Sequence, residues 1–303
     1  MLKKIPKGKL ILIGGGEDKG TSDSPEIEGK NKNFQHLEIL KTLLPPKKKK
    51  QTIEIITTAS QVPNEINEMY KEAFTNIGFH NIGFITMGNS YDASNPDYLK
   101  RIKKAHTVLF SGGNQFRLST ILGNTDVIEL IRERYFNDAG FVVAGTSAGA
   151  MAAGTLAIIE GETDEALLKG GVRVSSGLGF IDGCLIDTHF VKRGRFGRLS
   201  LGVVMNPTCI GIGLGEDTAL TLKRGNIAEC YGSGMVIIID GKEVRHTNIA
   251  YAEESTPICI QNLRVHILCK GNKFILNERE FVPSSKDLEV ENSARGDFEK
   301  HKM

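Results

Sequence analysis

The stretch Phe141-Val142-Val143-Ala144-Gly145-Thr146-Ser147-Ala148-Gly149-Ala150-Met151 decides the fold. Its first four residues are apolar and include two β-branched valines, which suit a buried strand. The turn Gly145-Thr146-Ser147-Ala148-Gly149 follows at once, and the small residues after it open a helix. A strand, a sharp turn and a helix are the context in which G-x-S-x-G presents a serine hydroxyl at the end of a sheet. Small neighbours let the backbone turn tightly, and a helix N-terminus aims unpaired N–H groups at a developing oxyanion. The same residues also suit a simpler part, a serine N-cap with glycines for packing.

Outward from this turn, residues 9 to about 155 alternate short apolar runs with amphipathic stretches, the signature of βαβ units and a parallel sheet. Strands are expected at Lys9 to Ile13, Ile53 to Thr57, Ile82 to Ile85, Thr107 to Phe110 and Phe141 to Ala144, with helices near 33–44, 63–77, 97–105 and 125–137. The first half therefore reads as a doubly wound α/β sheet, whose ligand site lies at the carboxyl ends of its strands. Gly14-Gly15-Gly16, Thr57-Thr58-Ala59-Ser60 and Ser111-Gly112-Gly113 stand at such ends. From about residue 155, glycine-punctuated β segments take over at Leu185 to Asp187, Ile210 to Leu214, Thr218 to Leu222, Met235 to Ile239 and Leu263 to Leu268; they are expected to extend the sheet. With no repeat and no low-complexity linker, residues 1–283 read as a single α/β domain, β-rich from about 225, and 284–303 as a polar, disordered tail.

A chain of 303 residues buries enough core to do without disulfides. Its five cysteines, Cys184, Cys209, Cys230, Cys259 and Cys269, include no CxxC pair, which points to free thiols in a reducing compartment rather than to zinc or a redox couple. The run from Met1 to Lys7 reaches Gly14 too soon for a signal peptide, so a cytoplasmic location is expected. No apolar stretch approaches the roughly 20 residues that cross a bilayer, so no membrane partner is expected. With 38 basic and 36 acidic residues the net charge is +2, without the footprint of a nucleic-acid binder, and the basic run Lys47 to Lys50 reads as a solvated loop. Neither a cofactor nor a metal is expected. Gly14 to Gly16 fail the dinucleotide pattern because Lys19 stands where its third glycine belongs.

A serine hydroxyl is a weak nucleophile until a base takes its proton. Among seven histidines, His36 and His80 fall on or after surface helices, His106 at the entry side of a strand and His301 in the tail, while His246 suits a turn and His266 a strand face. His189 closes the run Leu185-Ile186-Asp187-Thr188-His189-Phe190, at a strand exit, and can face the site. An orienting carboxylate then comes from the glycine-flanked turn Gly213-Leu214-Gly215-Glu216-Asp217, where either acid suits the role. The order serine, histidine, acid differs from the serine, acid, histidine order of α/β-hydrolases. Ser111-Gly112-Gly113-Asn114-Gln115 ends another strand; its glycines let a backbone N–H, that of Gly113, approach a substrate carbonyl, although Asn114 also suits a helix cap. Arg193, Arg195 and Arg198 follow His189 closely and suit an acidic substrate or ion pairs that brace the site.

Taken in this order, the motifs resemble the S51 family of serine peptidases, in its cyanophycinase branch. The resemblance runs from Leu10-Ile11-Leu12-Ile13-Gly14-Gly15-Gly16-Glu17 through Ser111 to Gln115, the Ser147 turn, Asp187-Thr188-His189-Phe190 with its arginines, Gly213 to Glu216, and Asn262 to Leu268. It implies a three-layer α/β/α sandwich like that of class I glutamine amidotransferases, with Ser147, His189 and Glu216 as a triad. It also implies hydrolysis of cyanophycin, a polyaspartate carrying arginines on its β-carboxylates, to β-aspartyl-arginine dipeptides through an acyl-enzyme. Gln115, Asp187, Arg193, Arg195 and Arg198 would line or brace the pocket, beside Thr188, which stands where that branch carries glutamine. The N–H groups of Ala148 and Gly113 would hold the oxyanion, and a homodimer is the implied assembly. The alternatives are another aspartyl peptide or isopeptide as substrate, or a non-catalytic binding module on the same fold.

Overall fold

The computed structural model describes residues 4–20, 31–46, 50–161 and 167–289. Lys47 to Lys49, His301 and the rest of 290–303 lie outside them.

The first five expected strands form as β1 (Lys9–Ile13), β2 (Ile53–Ile56), β3 (Ile82–Ile85), β4 (Thr107–Phe110) and β5 (Val142–Thr146), side by side and parallel in the order β1-β5-β4-β2-β3. Their alternation explains the layers. Leu10 and Leu12 point into one buried cluster with Val108, Phe110 and Val143, whereas Ile11 and Ile13 point into another with Ile53, Ile55 and Val142. Helices α1 (Glu38–Thr42) and α2 (Pro63–Asn76) cover the second face through Leu40, Tyr70 and Phe74. The first is covered by α3 (Pro96–Lys104), α4 (Gln115–Leu122), α5 (Asp126–Asn137) and α6 (Ala148–Met151), through Ile102, Leu118, Ile131 and Ala150.

Helix α1 is shorter than the expected span 33–44. Leu37 takes a left-handed φ of 57°, and its N–H donates to the Asp18 carboxylate at 2.8 Å, so residues before it turn away. Asn114 does cap α4, accepting the Arg117 N–H at 2.8 Å.

After β6 (Leu156–Glu160) and β7 (Arg173–Ser176), which form a separate hairpin, the chain departs from expectation. Of the five expected segments only one, β10 (Thr218–Lys223), extends the first sheet, pairing antiparallel with β1; β11 (Ile227–Gly232), β16 (Lys273–Ile275) and β17 (Glu280–Val282) continue it outward. The other four segments, β8 (Cys184–Asp187), β9 (Ile210–Leu214), β12 (Val236–Asp240) and β15 (Arg264–Leu268), form a second sheet in the order β15-β12-β9-β8. The two faces of β9 show why. Ile210, Ile212 and Leu214 join the cluster that holds Leu220, Leu222 and Phe274 of the first sheet. On the other face Gly211 and Gly213 leave room for α7 (Phe196–Met205) and Phe190: a Cβ would meet Val203 at 2.8 Å and the Phe190 ring at 2.6 Å. β9 is therefore buried on both faces, between the first sheet and α7.

Two smaller expectations change as well. His246 lies in the short strand β13 (His246–Thr247), paired with β14 (Ile260–Gln261), rather than in a turn. Residues 285–289 are helical, capped reciprocally by Ser284 and Asp287.

Gly149 is a tight joint between α6 and β4, where a Cβ would stand 2.2 Å from the Phe110 carbonyl oxygen. Gly149→Ala is expected to destabilise the protein by about 2 kcal/mol or more, read from urea unfolding midpoints.

Candidate active site

Ser147 sits between β5 and α6 with φ 50° and ψ −116°, a conformation that costs on the order of 1–3 kcal/mol and persists only where surroundings enforce it. The flanking glycines enforce it. A Cβ on Gly145 would stand 2.4 Å from the Gly149 carbonyl oxygen, so turn and helix start are in backbone contact.

Ser147 Oγ lies 3.0 Å from His189 Nε2, and His189 Nδ1 lies 2.7 Å from Glu216 Oε1. His189 follows β8, and Glu216 occupies the turn between β9 and β10. Lys192 Nζ donates to the remaining Glu216 oxygen at 3.0 Å. The two acids of that turn diverge: Asp217 accepts the Ser233 hydroxyl at 2.5 Å and the Asp18 N–H at 3.2 Å, away from His189.

Three consecutive carbonyls at the end of β1 hold these pieces together. The Ser147 N–H donates to Ile13 at 3.0 Å, the His189 N–H to Gly14 at 2.8 Å and the Asp217 N–H to Gly15 at 3.1 Å. Gly15 and Gly16 have φ of 86° and 56°, and a Cβ on Gly15 would stand 2.4 Å from His189 Nε2. A side chain there would displace the imidazole. The glycine run stands at the strand exit on the side of the ligand site, as the sequence suggests, but its carbonyls as acceptors for three segments are not legible there, nor is Lys192 within its basic cluster.

Burial pulls the Glu216 carboxyl up, but hydrogen bonds from His189 and Lys192 together with the Lys192 charge outweigh it, holding the group below the usual carboxylate range. An ionised carboxylate only accepts, so His189 Nδ1 carries the proton and Nε2 is free to accept from the Ser147 hydroxyl. Burial also dominates at His189, helped by the charges of Arg193 and Arg195 and opposed by Glu216, and lowers its pKa. A neutral imidazole beside a hydroxyl can take its proton, and the ionised carboxylate then stabilises the imidazolium that forms.

Of the other anticipated residues, Asp187 is fully buried and accepts two bonds from Arg198 at 2.6 Å each and one from Arg195 at 3.0 Å. Arg195 also donates to the Thr188 carbonyl at 2.8 Å, and Arg198 to that of Gly161 at 3.0 Å. This ion-paired knot fixes the β8 exit directly before His189. Thr188 is fully buried and its hydroxyl has no hydrogen-bond partner. Gln115 directs its amide to the Ile158 and Ile159 carbonyls at 3.0 and 3.2 Å. Arg193 and Gly113 are exposed, and Ala148 is buried at the start of α6. Gly112 is the closer of the two glycines to the serine: a Cβ there would stand 3.8 Å from Ser147 Oγ. Of the remaining histidines, His36 pairs with Asp18 at 2.8 Å, His106 with Thr107 at 2.9 Å, and His266 packs 5.2 Å from the Phe274 ring. Among the described residues no group of three or more His, Cys, Asp or Glu is placed to hold a metal ion, and no helix is long and apolar enough to cross a membrane.

Removing the carboxylate of Asp187 leaves two largely buried guanidinium groups uncompensated. Asp187→Ala is expected to lose about 3–5 kcal/mol of stability in urea unfolding. His189 is expected to titrate below its ordinary value of 6.5 when followed by imidazole NMR. Lys192→Gln removes a cation from Glu216, favours the imidazolium and should raise that titration point; a fall would contradict the linkage.

The sequence profile of peptidase family S51 matches residues 21–230. The chain is 32% identical over 279 residues to a protein named cyanophycinase from Trichormus variabilis, covering 92% of this chain and 89% of that one. It is 30% identical over 275 residues to cyanophycinases of Synechococcus elongatus and Geminocystis herdmanii, covering 90% of this chain and 81% and 95% of theirs. The crystal structure of a peptidase from an acI-B1 Actinobacterium superimposes with a TM-score of 0.61 at 21% identity, over 90% of this chain and 99% of that one, and so shares the fold. These matches, together with the serine turn, place the chain: it belongs to peptidase family S51.

Proposed function

We propose that this peptidase is a serine-type enzyme of cyanophycinase kind, which releases β-aspartyl-arginine dipeptides from cyanophycin. The observation that carries the reading is the line Ser147 Oγ, His189 Nε2 and Nδ1, Glu216 Oε1, at 3.0 and 2.7 Å. Ser147 attacks the carbonyl carbon of the scissile amide while His189 Nε2 takes its proton. His189 returns that proton to the leaving amine, and water then attacks the acyl-enzyme with His189 again as base. Glu216 keeps the proton on Nδ1 throughout. The oxyanion is held by the Ala148 N–H and by the Gly113 N–H, whose loop Gly112-Gly113 runs beside the serine.

For substrate binding, exposed Arg193 is the arginine of the cluster best placed to meet a carboxylate of the polymer. Gln115, Asp187, Thr188, Arg195 and Arg198 act beneath the surface, shaping the pocket through the bonds already described. A second reading keeps the triad but assigns another aspartyl peptide or isopeptide. Thr188 favours it, since a short, fully buried side chain with an unpartnered hydroxyl stands where the cyanophycinase branch carries the longer glutamine amide. The reading extends to a homodimer, which sedimentation would test, and to the cytoplasm, consistent with five cysteines outside any disulfide.

Ser147→Ala is expected to lower dipeptide release from cyanophycin by about 10⁴-fold or more, and Glu216→Gln by about 10²- to 10⁴-fold. Mass spectrometry of products from cyanophycin, a β-aspartyl-lysine polymer and α-aspartyl peptides separates the two substrate readings. Full turnover by Ser147→Ala would sink both.

A further inference from the structure

Beyond the triad, the turn that carries Ser147 is tied to a second acid. Glu17 is 4% exposed and follows the three glycines at the end of β1. Its Oε2 accepts the Thr146 hydroxyl at 2.8 Å; its Oε1 accepts the Tyr70 hydroxyl at 2.8 Å and pairs with Lys19 Nζ at 2.9 Å. Burial raises the carboxyl, but the charge and hydrogen bond of Lys19 and the bond from Tyr70 outweigh it, so Glu17 is held ionised.

The location gives this buried charge its meaning. The β1 exit grips Ser147, His189 and Asp217 through the carbonyls of Ile13, Gly14 and Gly15, and two residues later the chain returns through the Glu17 side chain to Thr146. Thr146 immediately precedes the strained Ser147. The loop from 13 to 17 thereby closes on itself across the nucleophile turn, fixing the turn from its backbone and from its side chain. Burying a carboxylate costs several kcal/mol before its partners compensate, and apolar packing would fill the same volume as well or better for stability alone. A charge placed here serves geometry: it defines where the strained turn sits relative to the imidazole, and an error of about 1 Å between reacting groups costs on the order of 10²-fold in rate.

We propose that Glu17 is a positioning residue for the peptidase reaction, acting through Thr146 to hold Ser147 Oγ against His189. The inference rests on the serine-peptidase reading above. The discriminating comparison uses three hydrogen-bond variants. Thr146→Val keeps the shape but removes the hydroxyl, Thr146→Ser keeps the hydroxyl, and Tyr70→Phe removes a different bond from the same carboxylate, away from the turn. Each is measured for kcat and KM, for the rate at which an alkyl fluorophosphonate phosphonylates Ser147 with loss of fluoride, and for its unfolding midpoint.

Thr146→Val should lower kcat and the phosphonylation rate by about 10- to 100-fold with KM within about twofold. Thr146→Ser should restore both to within about threefold. Tyr70→Phe should lower the unfolding midpoint at least as much as Thr146→Val while keeping kcat within about threefold. Equal kcat and phosphonylation in Thr146→Val and the parent would overturn the proposal, as would losses that follow the unfolding midpoint across all three variants. A parent protein that resists phosphonylation, or a Ser147→Ala variant that still hydrolyses, overturns the serine-peptidase reading itself and this inference with it.

Discussion

Backbone carbonyls at the end of a strand normally meet solvent or a neighbouring strand. At the end of β1 they meet the three segments that carry Ser147, His189 and Glu216, one after another: Ile13 to Ser147, Gly14 to His189, Gly15 to Asp217. These segments come from sequence positions far apart and from two different sheets. β5 and β10 flank β1 in the first sheet, whereas β8 and β9 belong to the second. The chain between residues 13 and 15 is therefore the common reference for parts that otherwise share no local geometry. Glycine is required there, because the His189 ring occupies the space that a Gly15 side chain would fill and Glu216 crowds that of Gly16.

Charge supports the same arrangement from beneath. Arg195 and Arg198 converge on Asp187 two residues before His189, so the β8 exit is clamped by bonds of 2.6–3.0 Å rather than by packing alone. Hydrogen-bonded guanidinium forks resist reorientation better than a single contact. At the surface the pattern is simpler. Lys192 meets the outer oxygen of Glu216 while its inner oxygen meets His189, and the carboxylate stays ionised between two donors. One cluster of basic residues thus divides into buried braces and an exposed tuner.

The elbow was legible in the sequence because everything it needs is local: an apolar run, two glycines, a serine and small residues to start a helix. The first five strands were legible for the same reason, since strict apolar runs separated by amphipathic helices encode a parallel sheet. The second sheet was not, because a strand's own residues do not name its partner. Its signal was present in Ile210-Gly211-Ile212-Gly213-Leu214, where glycine on alternate positions marks a face against which something else packs closely. Likewise spacing left Glu216 and Asp217 equivalent; a single residue step sends one to His189 and the other to Ser233 and the Asp18 N–H. Helix α1 starts late because the Leu37 N–H donates to Asp18, 19 residues away, which no helical period can announce.

Strain shows why these distant bonds are needed. Ser147, His189 and Asp217 have φ of 50°, 48° and 46°, three of nine non-glycine residues with positive φ among those described. Each such residue costs on the order of 1–3 kcal/mol, so several kcal/mol are concentrated where the three segments meet. The same three residues donate the N–H groups that Ile13, Gly14 and Gly15 accept. The correspondence is physical rather than incidental: a sharp reversal at a strand end turns the N–H away from its own ladder, and without another acceptor that group would be buried unpaired. The β1 exit supplies the acceptors, and by doing so makes three individually unfavourable turns the most stable way for these strands to end.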